Sequence, residues 1–376
     1  MAELSILLPL QQQIRQAAQS GVKLRWMGQA TKQFIPLPAD DETIVDLKNY
    51  KGILEYNPNE LYLRALAGTD IEQINACLAE HQQILSFEPP SFNSKSPVAA
   101  TLGGTLATAS YGPRSIFAGG VRDFVLGMGV VNATGEILHF GGKVMKNVAG
   151  YDVARGLVGS MGCFGPIVYA TLRVNPQPEM EQTQILDCTS AQALNKLREW
   201  WRRPNPISAA AMRSGRFYLR LTGSMAAVES AQKIIGGQSL EQADSFWRGL
   251  NDQSDSIFDM KADESLWRVS LGYDSALWPK TLHDRGSEDE SMARQQPICQ
   301  WFGHRHAVQW YRSRLPPLSI DSNRVDHDQN VVCINYSRRK LHYHSLNPVE
   351  GKIRSRLKTL FDPAQIFNPS LSSWIL

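Results

Sequence analysis

T-L-G-G-T-L-A-T-A-S-Y-G-P-R at residues 101–114, V-R-D-F-V-L-G at 121–127 and K-N-V-A-G-Y-D-V-A-R-G-L-V-G-S-M-G-C-F-G-P-I at 146–167 decide the reading of this chain. Glycine recurs through the span 101–174 that holds them, among others at Gly103, Gly104, Gly112, Gly119, Gly120, Gly150, Gly159, Gly162 and Gly165. Glycine admits positive φ and lets a second backbone or a ligand approach closely. The density exceeds what turns alone require, so the stretch reads as a surface shaped around a large ligand. Upstream, K-L-R-W-M at 23–27 reads as a strand running into Gly28-Gln29-Ala30-Thr31-Lys32. A small, polar loop after a strand can present consecutive backbone N–H groups to an anion, phosphate above all. Leu102-Gly103-Gly104-Thr105 offers a second such cradle. Neither is a Walker A loop or a G-x-G-x-x-G fingerprint. Two modest nests on one chain suggest a pyrophosphate held from both sides without a Rossmann unit.

The remainder of the chain bounds this reading. Its 376 residues, 43% hydrophobic and 20% charged, suit a globular protein of two domains. A formal net charge of +3 with scattered basic residues argues against a nucleic-acid partner. Cys77, Cys163, Cys188, Cys299 and Cys333 are odd in number and widely spaced, so disulfides, metal sites and iron–sulfur ligation are not expected. Free thiols suit a reducing compartment. No signal peptide and no apolar run of ~18 residues is evident, which points to the cytoplasm with peripheral membrane contact left open.

In order, the pattern predicts a helix over 10–18, a hairpin of 53–56 with 61–67 about Asn57-Pro58-Asn59, and a helix opened by a Thr69-x-x-Glu72 capping box. A short strand at 84–87 ends at Pro89-Pro90, a hairpin joins 124–132 to 137–140, a helical turn covers 152–158 and a strand 167–174. The Pro176-Gln177-Pro178 step is the predicted domain boundary. Beyond it, strand 183–186, a helix capped by Thr189-x-x-Gln192, paired strands 209–212 and 217–222, a helix capped by Ser224 and strand 266–271 match a ferredoxin-like α/β sandwich. Residues 284–296 read as an exposed polar loop. Further strands are expected at 298–302, 306–310 and 331–336, with a last helix over 349–360.

The segments V-R-D-F-V-L-G, F-G-G-K-V-M-K-N-V-A-G-Y-D-V (140–153) and G-S-M-G-C-F-G (159–165) carry a resemblance, with E-P-P (88–90) and F-D-P-A-Q-I-F-N-P (361–369) adding to it. The chain resembles the FAD-linked oxidases of the p-cresol methylhydroxylase (PCMH) and vanillyl-alcohol oxidase type. Within that family it is most similar to the FAD-binding subunits of bacterial glycolate dehydrogenases (glycolate oxidases). The resemblance implies an α+β fold: a PCMH-type FAD-binding domain of two α+β subdomains over 1–178, a ferredoxin-like cap over 179–345, and a segment at 346–376 returning to the flavin domain. It implies noncovalent FAD, the pyrophosphate being held by backbone N–H groups of Gly28, Gln29, Ala30, Thr31 and Lys32 and of Leu102, Gly103, Gly104 and Thr105. Ser110, Tyr111 and Gly112 would lie next to the flavin, and Gly150, Asp152, Gly162, Gly165 and Ile167 would close around the nucleotide portion. It also implies a 2-hydroxy acid substrate such as glycolate or D-lactate, an iron–sulfur subunit and a second FAD-linked subunit as partners, and loose membrane association through the complex. Three departures stand out: the first loop is poor in glycine, V-V-C-I-N-Y-S-R-R-K (331–340) replaces a G-G-H-A-T-type segment, and F-N-P-G appears as F-N-P-S.

Oxidising a hydroxy acid needs a cation for the carboxylate and a base for the hydroxyl. Lys146, Asn147 and Arg114 are candidate clamps, with a structural ion pair the competing reading. His304 with His306, and His342 with His344, are candidate imidazole pairs, core or surface placement being the simpler alternative. The tryptophans, among them Trp200, Trp201, Trp247 and Trp310, could line a subunit interface or fill cores. The catalytic base is not assigned. Two functional readings follow: a catalytic flavin subunit, or a flavin-binding or assembly subunit with no active site of its own.

Overall fold

The structure, a computed structural model, describes residues 2–32, 34–92, 98–142, 152–259, 264–272, 297–302, 306–313, 332–335 and 348–375. It forms two compact units, Met1–Gly112 with Gly119–Gln177 and Leu346–Leu376, and Pro113–Ala118 with Pro178–Ser345.

In the first unit, α1 (Leu8–Ser20) buries Leu10, Ile14 and Ala17, the three-to-four spacing of one helical face, and stops at Gly21 in the left-handed conformation (φ 68°). Strand β1 (Lys23–Met27) pairs in parallel with β2 (Glu42–Asp46). A five-stranded antiparallel sheet follows the order β3-β4-β8-β6-β7, from β3 (Ile53–Asn57), β4 (Tyr62–Leu66), β6 (Val125–Val131), β7 (Ile137–Gly141) and β8 (Ile167–Arg173). Central β8 is buried from Ile167 to Leu172, which is why I-V-Y-A-T-L shows no polar alternation. The predicted strand at 84–87 is only β5 (Gln83–Ile84), paired with β9 (Asn175–Pro176).

Two local expectations are corrected here. The second helix, α2 (Ile71–Ala79), starts after Asp70. The Thr69 hydroxyl does not cap it, but accepts from Gly52 N (2.9 Å) and donates to Gly52 O (3.1 Å). Residues 102–105, read as an open loop, form the first turn of α3 (Leu102–Ala107), with Thr101 Oγ1 accepting from Gly104 N at 3.2 Å.

The second unit is built on one sheet in the order β13-β10-β12-β11-β15-β16-β14-β17. Strand β10 (Met180–Asp187) leads to a helix over Ser190–Trp200, whose Thr189–Gln192 capping box is formed as predicted. Strands β11 (Ile207–Arg213) and β12 (Arg216–Gly223) make a tight hairpin through Ser214 (φ 49°) and Gly215 (φ 76°). The Ser224 hydroxyl caps the helix Met225–Ile235. The ferredoxin-like pattern closes on β13 (Gln238–Ser239), not on the predicted strand 266–271. Gly236 and Gly237, at φ 69° and 86°, turn the chain straight back onto the edge of β10. The strand predicted at 266–271 is β14 (Ser265–Gly272), which extends the sheet with β15 (Cys299–Phe302), β16 (His306–Ser313) and β17 (Val332–Asn335). A helix over Ala243–Asn251 escaped the sequence reading.

Alternate residues of β11 feed two cores: Ala210 and Met212 join Leu197, Val228 and Phe302, while Ala209 and Ala211 join Trp247, Trp301 and Trp310. Trp200, Trp247 and Trp310 are thus core residues, at most 7% exposed, and the interface reading fails for them. Gly150, Lys146, Asn147, the stretch 284–296, His304, His342 and His344 lie outside the described residues, and His306 is described only as backbone.

Candidate cofactor site

Strand β1 hands its last carbonyl, Met27 O, to Leu47 N at 2.7 Å, and the chain then leaves the sheet. Ala30 takes the left-handed conformation at φ 53°, the position where a glycine would be unstrained. Among the described residues, no backbone N–H of Gly28, Gln29, Ala30, Thr31 or Lys32 has an acceptor. A run of open amides around a left-handed residue is the geometry of an anion nest. The glycine-poor first loop therefore keeps its donors. Its side chains look elsewhere, Gln29 Nε2 reaching Asp70 Oδ1 at 3.4 Å.

The second segment behaves differently from expectation. Leu102 N donates to Thr69 O (2.9 Å), Gly103 N to Ala67 O (2.7 Å), Gly104 N to the Thr101 hydroxyl and Thr105 N to Thr101 O (2.9 Å). The amides of Leu102, Gly103, Gly104 and Thr105 are thus spent on the fold, because the segment is helical and docks on the Ala67–Thr69 carbonyls. What it offers instead is absence of bulk and one hydroxyl. A Cβ at Gly28 would stand 2.7 Å from Thr101 Oγ1, and one at Gly104 3.6 Å from Lys32 Nζ, so the two segments lie against each other. Thr105 Oγ1 is buried with no partner. Lys32 is 7% exposed, and burial lowers its amine to about 7.

A glycine loop and the C-terminal return brace this pair. Gly159 N and Met161 N donate to Leu106 O and Ala107 O of α3, each at 2.9 Å. Gly162, at φ 69°, sits where a Cβ would press on the Trp26 ring, whose Nε1 donates to Gly162 O at 3.1 Å. Asn368 Nδ2 donates to Met161 O (2.6 Å), and its Oδ1 accepts from Trp26 N (2.9 Å). Trp26 lies just before the nest, so the F-N-P asparagine ties its approach strand to the glycine loop. Asn368→Ala is expected to lose about 2–3 kcal/mol of stability, read by denaturant unfolding, because one buried and one part-buried hydrogen bond vanish at a residue with φ 42°. Asn368 was not singled out in the sequence. The signal was there, in the quoted F-D-P-A-Q-I-F-N-P. The serine that replaces the family's glycine after it is also used: Ser370 Oγ donates to Glu42 Oε2 (2.8 Å) and accepts from Arg25 Nη1 (3.3 Å).

The other candidates are placed as follows. Ser110 is buried, its hydroxyl 2.6 Å from that of Thr108, and Gly112 N donates to Phe87 O at 3.0 Å, with half-exposed Tyr111 between. Gly165 (φ 134°) turns the chain into β8, where Ile167 pairs with Val130 inside the sheet. Asp152 caps a helical turn by accepting from Arg155 N (3.3 Å) and is largely exposed. Ile167 stands next to Val168, whose carbonyl accepts from Ala67 N at 2.9 Å, while Ala67 O accepts from Gly103 N at 2.7 Å. Arg114 belongs to the second unit and bonds Glu181 Oε2 at 2.6 Å, so the ion-pair reading holds for it. Cys163 is buried and its thiol is pushed up to about 11, chiefly by burial, a poor state for a covalent flavin bond.

Residues 9–141 match a family described as FAD binding domain. The chain is 31% identical to glycolate oxidase subunit GlcE of Escherichia coli (strain K12) over 360 residues, 96% of this chain and 95% of that one. The chain belongs to the GlcE-type, FAD-linked oxidase subunits. A D-lactate dehydrogenase of Archaeoglobus fulgidus is 33% identical over 344 residues, 81% of this chain and 75% of that protein. Glycolate oxidase subunit GlcD of Bacillus subtilis is 34% identical over 149 residues, 39% of this chain and 30% of that one. The solved structure of alkyldihydroxyacetonephosphate synthase shares the fold, with a TM-score of 0.64 at 15% identity over 95% of this chain and 74% of that one. The cofactor of this GlcE-type chain is FAD. Its residues fit that group: amides at 28–32 with no described acceptor, beside a Gly104 that presents no side chain toward Lys32, suit a diphosphate. No described helix is long and apolar enough to cross a membrane.

Proposed function

We propose that this subunit holds FAD noncovalently in its first unit, with the diphosphate on the amides of residues 28–32. In this reading it serves in oxidising glycolate, or a similar 2-hydroxy acid such as D-lactate, to the 2-oxo acid. The second unit supplies the substrate domain. The observation that carries the proposal is the approach of the open-amide loop 28–32 to the glycine turn at 103–104, in a chain similar to GlcE along nearly its whole length. Flavin, when bound, accepts a hydride equivalent from the carbon that bears the hydroxyl. The chain's own part is to grip the nucleotide, fix the ring's position through the braced loops and keep water away. Its scattered cysteines make no cluster for iron–sulfur ligation, so electrons leave to a partner or to oxygen, and the resemblance to glycolate oxidase subunits favours an iron–sulfur partner subunit.

One observation favours a second reading. Relatives named as two different glycolate oxidase subunits, GlcE and GlcD, both align with this chain. The complex would then contain a second FAD-linked subunit that does the chemistry, with this chain holding its flavin for assembly or electron transfer. Anaerobic titration with glycolate and D-lactate decides. Bleaching of the purified chain's flavin band near ~450 nm, a property of any oxidised flavin, is the expected result. Bleaching only with co-expressed partners supports the second reading, and an unbleached complex overturns both.

A further inference from the structure

We propose that the side-chain ammonium of Lys32 is the counter-charge to the cofactor's diphosphate, so that this chain selects among flavins by their phosphate charge; this rests on the FAD reading above.

Lysine is almost never fully buried without a partner, since moving an ammonium out of water is costly unless an opposite charge or acceptors replace the water. Lys32 is 7% exposed, and no described residue accepts a hydrogen bond from it or pairs with it. Its one described ring contact is Phe92, with Nζ 5.4 Å from the centroid, and a cation–π contact at that range offsets only part of the cost. The Cβ position of Gly104 lies 3.6 Å from Nζ, so that residue presents no side chain there, and the lysine ends a loop whose amides at residues 28–32 have no described acceptor. A buried amine on a loop of open amide donors makes a site that is complete only when an anion enters it. Burial lowers the amine to about 7, so in the cofactor-free chain a large share is neutral at physiological pH, and a bound diphosphate restores the charge.

The amides and the lysine divide the work. An amide nest fixes geometry and tolerates many side chains, whereas the lysine adds a compact point charge on a flexible stem. The lysine therefore discriminates by charge where the nest discriminates by shape.

The test compares the cofactor-free wild type with Lys32→Met, titrated with FAD and with riboflavin by flavin fluorescence, together with thermal melting of each. Lys32→Met is expected to bind FAD roughly 10- to 100-fold more weakly, the range of a charge-assisted hydrogen bond. Riboflavin, which has no phosphate, is expected to bind both proteins alike and weakly. Cofactor-free Lys32→Met is expected to melt at or above the wild type, because an uncompensated buried amine has been removed. A lysine that merely fills space would give the opposite melting result. Equal FAD affinity in the two proteins, or a lower melting temperature of the cofactor-free variant with FAD and riboflavin affected alike, overturns the proposal and leaves the FAD reading standing. A wild type that refuses FAD overturns the FAD reading itself.

Discussion

Asp362→Ala is expected to remove about 3–5 kcal/mol of unfolding free energy, a large share of the ~5–15 kcal/mol typical of a domain. Asp362 is fully buried and its carboxylate accepts from Lys358 Nζ (2.7 Å), Ile366 N (3.1 Å) and Phe367 N (2.8 Å). Lys358, 2% exposed, donates onward to Cys163 O and Phe367 O, each at 2.8 Å. Removing the carboxylate strands a buried ammonium and two backbone donors together. The same pair joins the C-terminal return to the glycine loop, and Ile366 and Asn368 bond the backbone of Leu24 in β1 at 2.7 and 2.8 Å. Loss of stability should therefore be accompanied by loss of bound flavin. The check is urea unfolding followed by tryptophan emission, with Lys358→Met/Asp362→Leu as the companion. Replacing a buried pair with apolar residues of similar size is often near neutral, so the double variant should be more stable than Asp362→Ala alone. A loss under ~1 kcal/mol in Asp362→Ala would show that the pair is not the clamp described.

Gly104→Val should abolish FAD retention while sparing the fold. Gly104 lies in the first turn of α3 with ordinary helical backbone. An added Cβ would meet the Thr101 hydroxyl at 3.2 Å and Lys32 Nζ at 3.6 Å, with no backbone atom nearer. Valine is also no worse than glycine as a helix former. Its methyls, however, enter the space beside the open amides. FAD affinity should fall by roughly 100-fold or more, at least ~2.7 kcal/mol, with the far-ultraviolet circular dichroism and melting curve little changed. Gly103→Ala is the contrast. There the Cβ would stand 2.8 Å from Ala67 Cβ and 3.0 Å from Ala67 O, so α3 must move off its strand and the fold itself should weaken. If Gly104→Val keeps its flavin through gel filtration, the cradle lies elsewhere.

Much of this was legible in the residues. Strand β1, the β3–β4 hairpin, the Thr189 and Ser224 caps and the strand–helix–strand–strand–helix run of the second unit follow from periodicity and from side chains that bond their own neighbours. The two segments that lie against each other, 28–32 and 101–105, were also found from composition, since small residues after a strand are a local property.

Their actual division of labour was not local. Whether an N–H is free depends on which distant carbonyl reaches it. Thr69 and Ala67 claim the amides of Leu102 and Gly103, while nothing described claims those of residues 28–32. Thr69 failed as a cap for the same reason: Gly52, across the chain, bonds its hydroxyl. The burial of Lys32 and the bracing of Trp26 by Asn368 likewise join residues far apart in sequence. By itself, then, the sequence determined where the chain bends, which faces are apolar and which segments could meet an anion. Only the tertiary structure decided which donors remain unspent and which lysine is buried without a counter-charge among the described residues, because hydrogen-bond satisfaction and desolvation depend on what packs nearby rather than on what lies next in the chain.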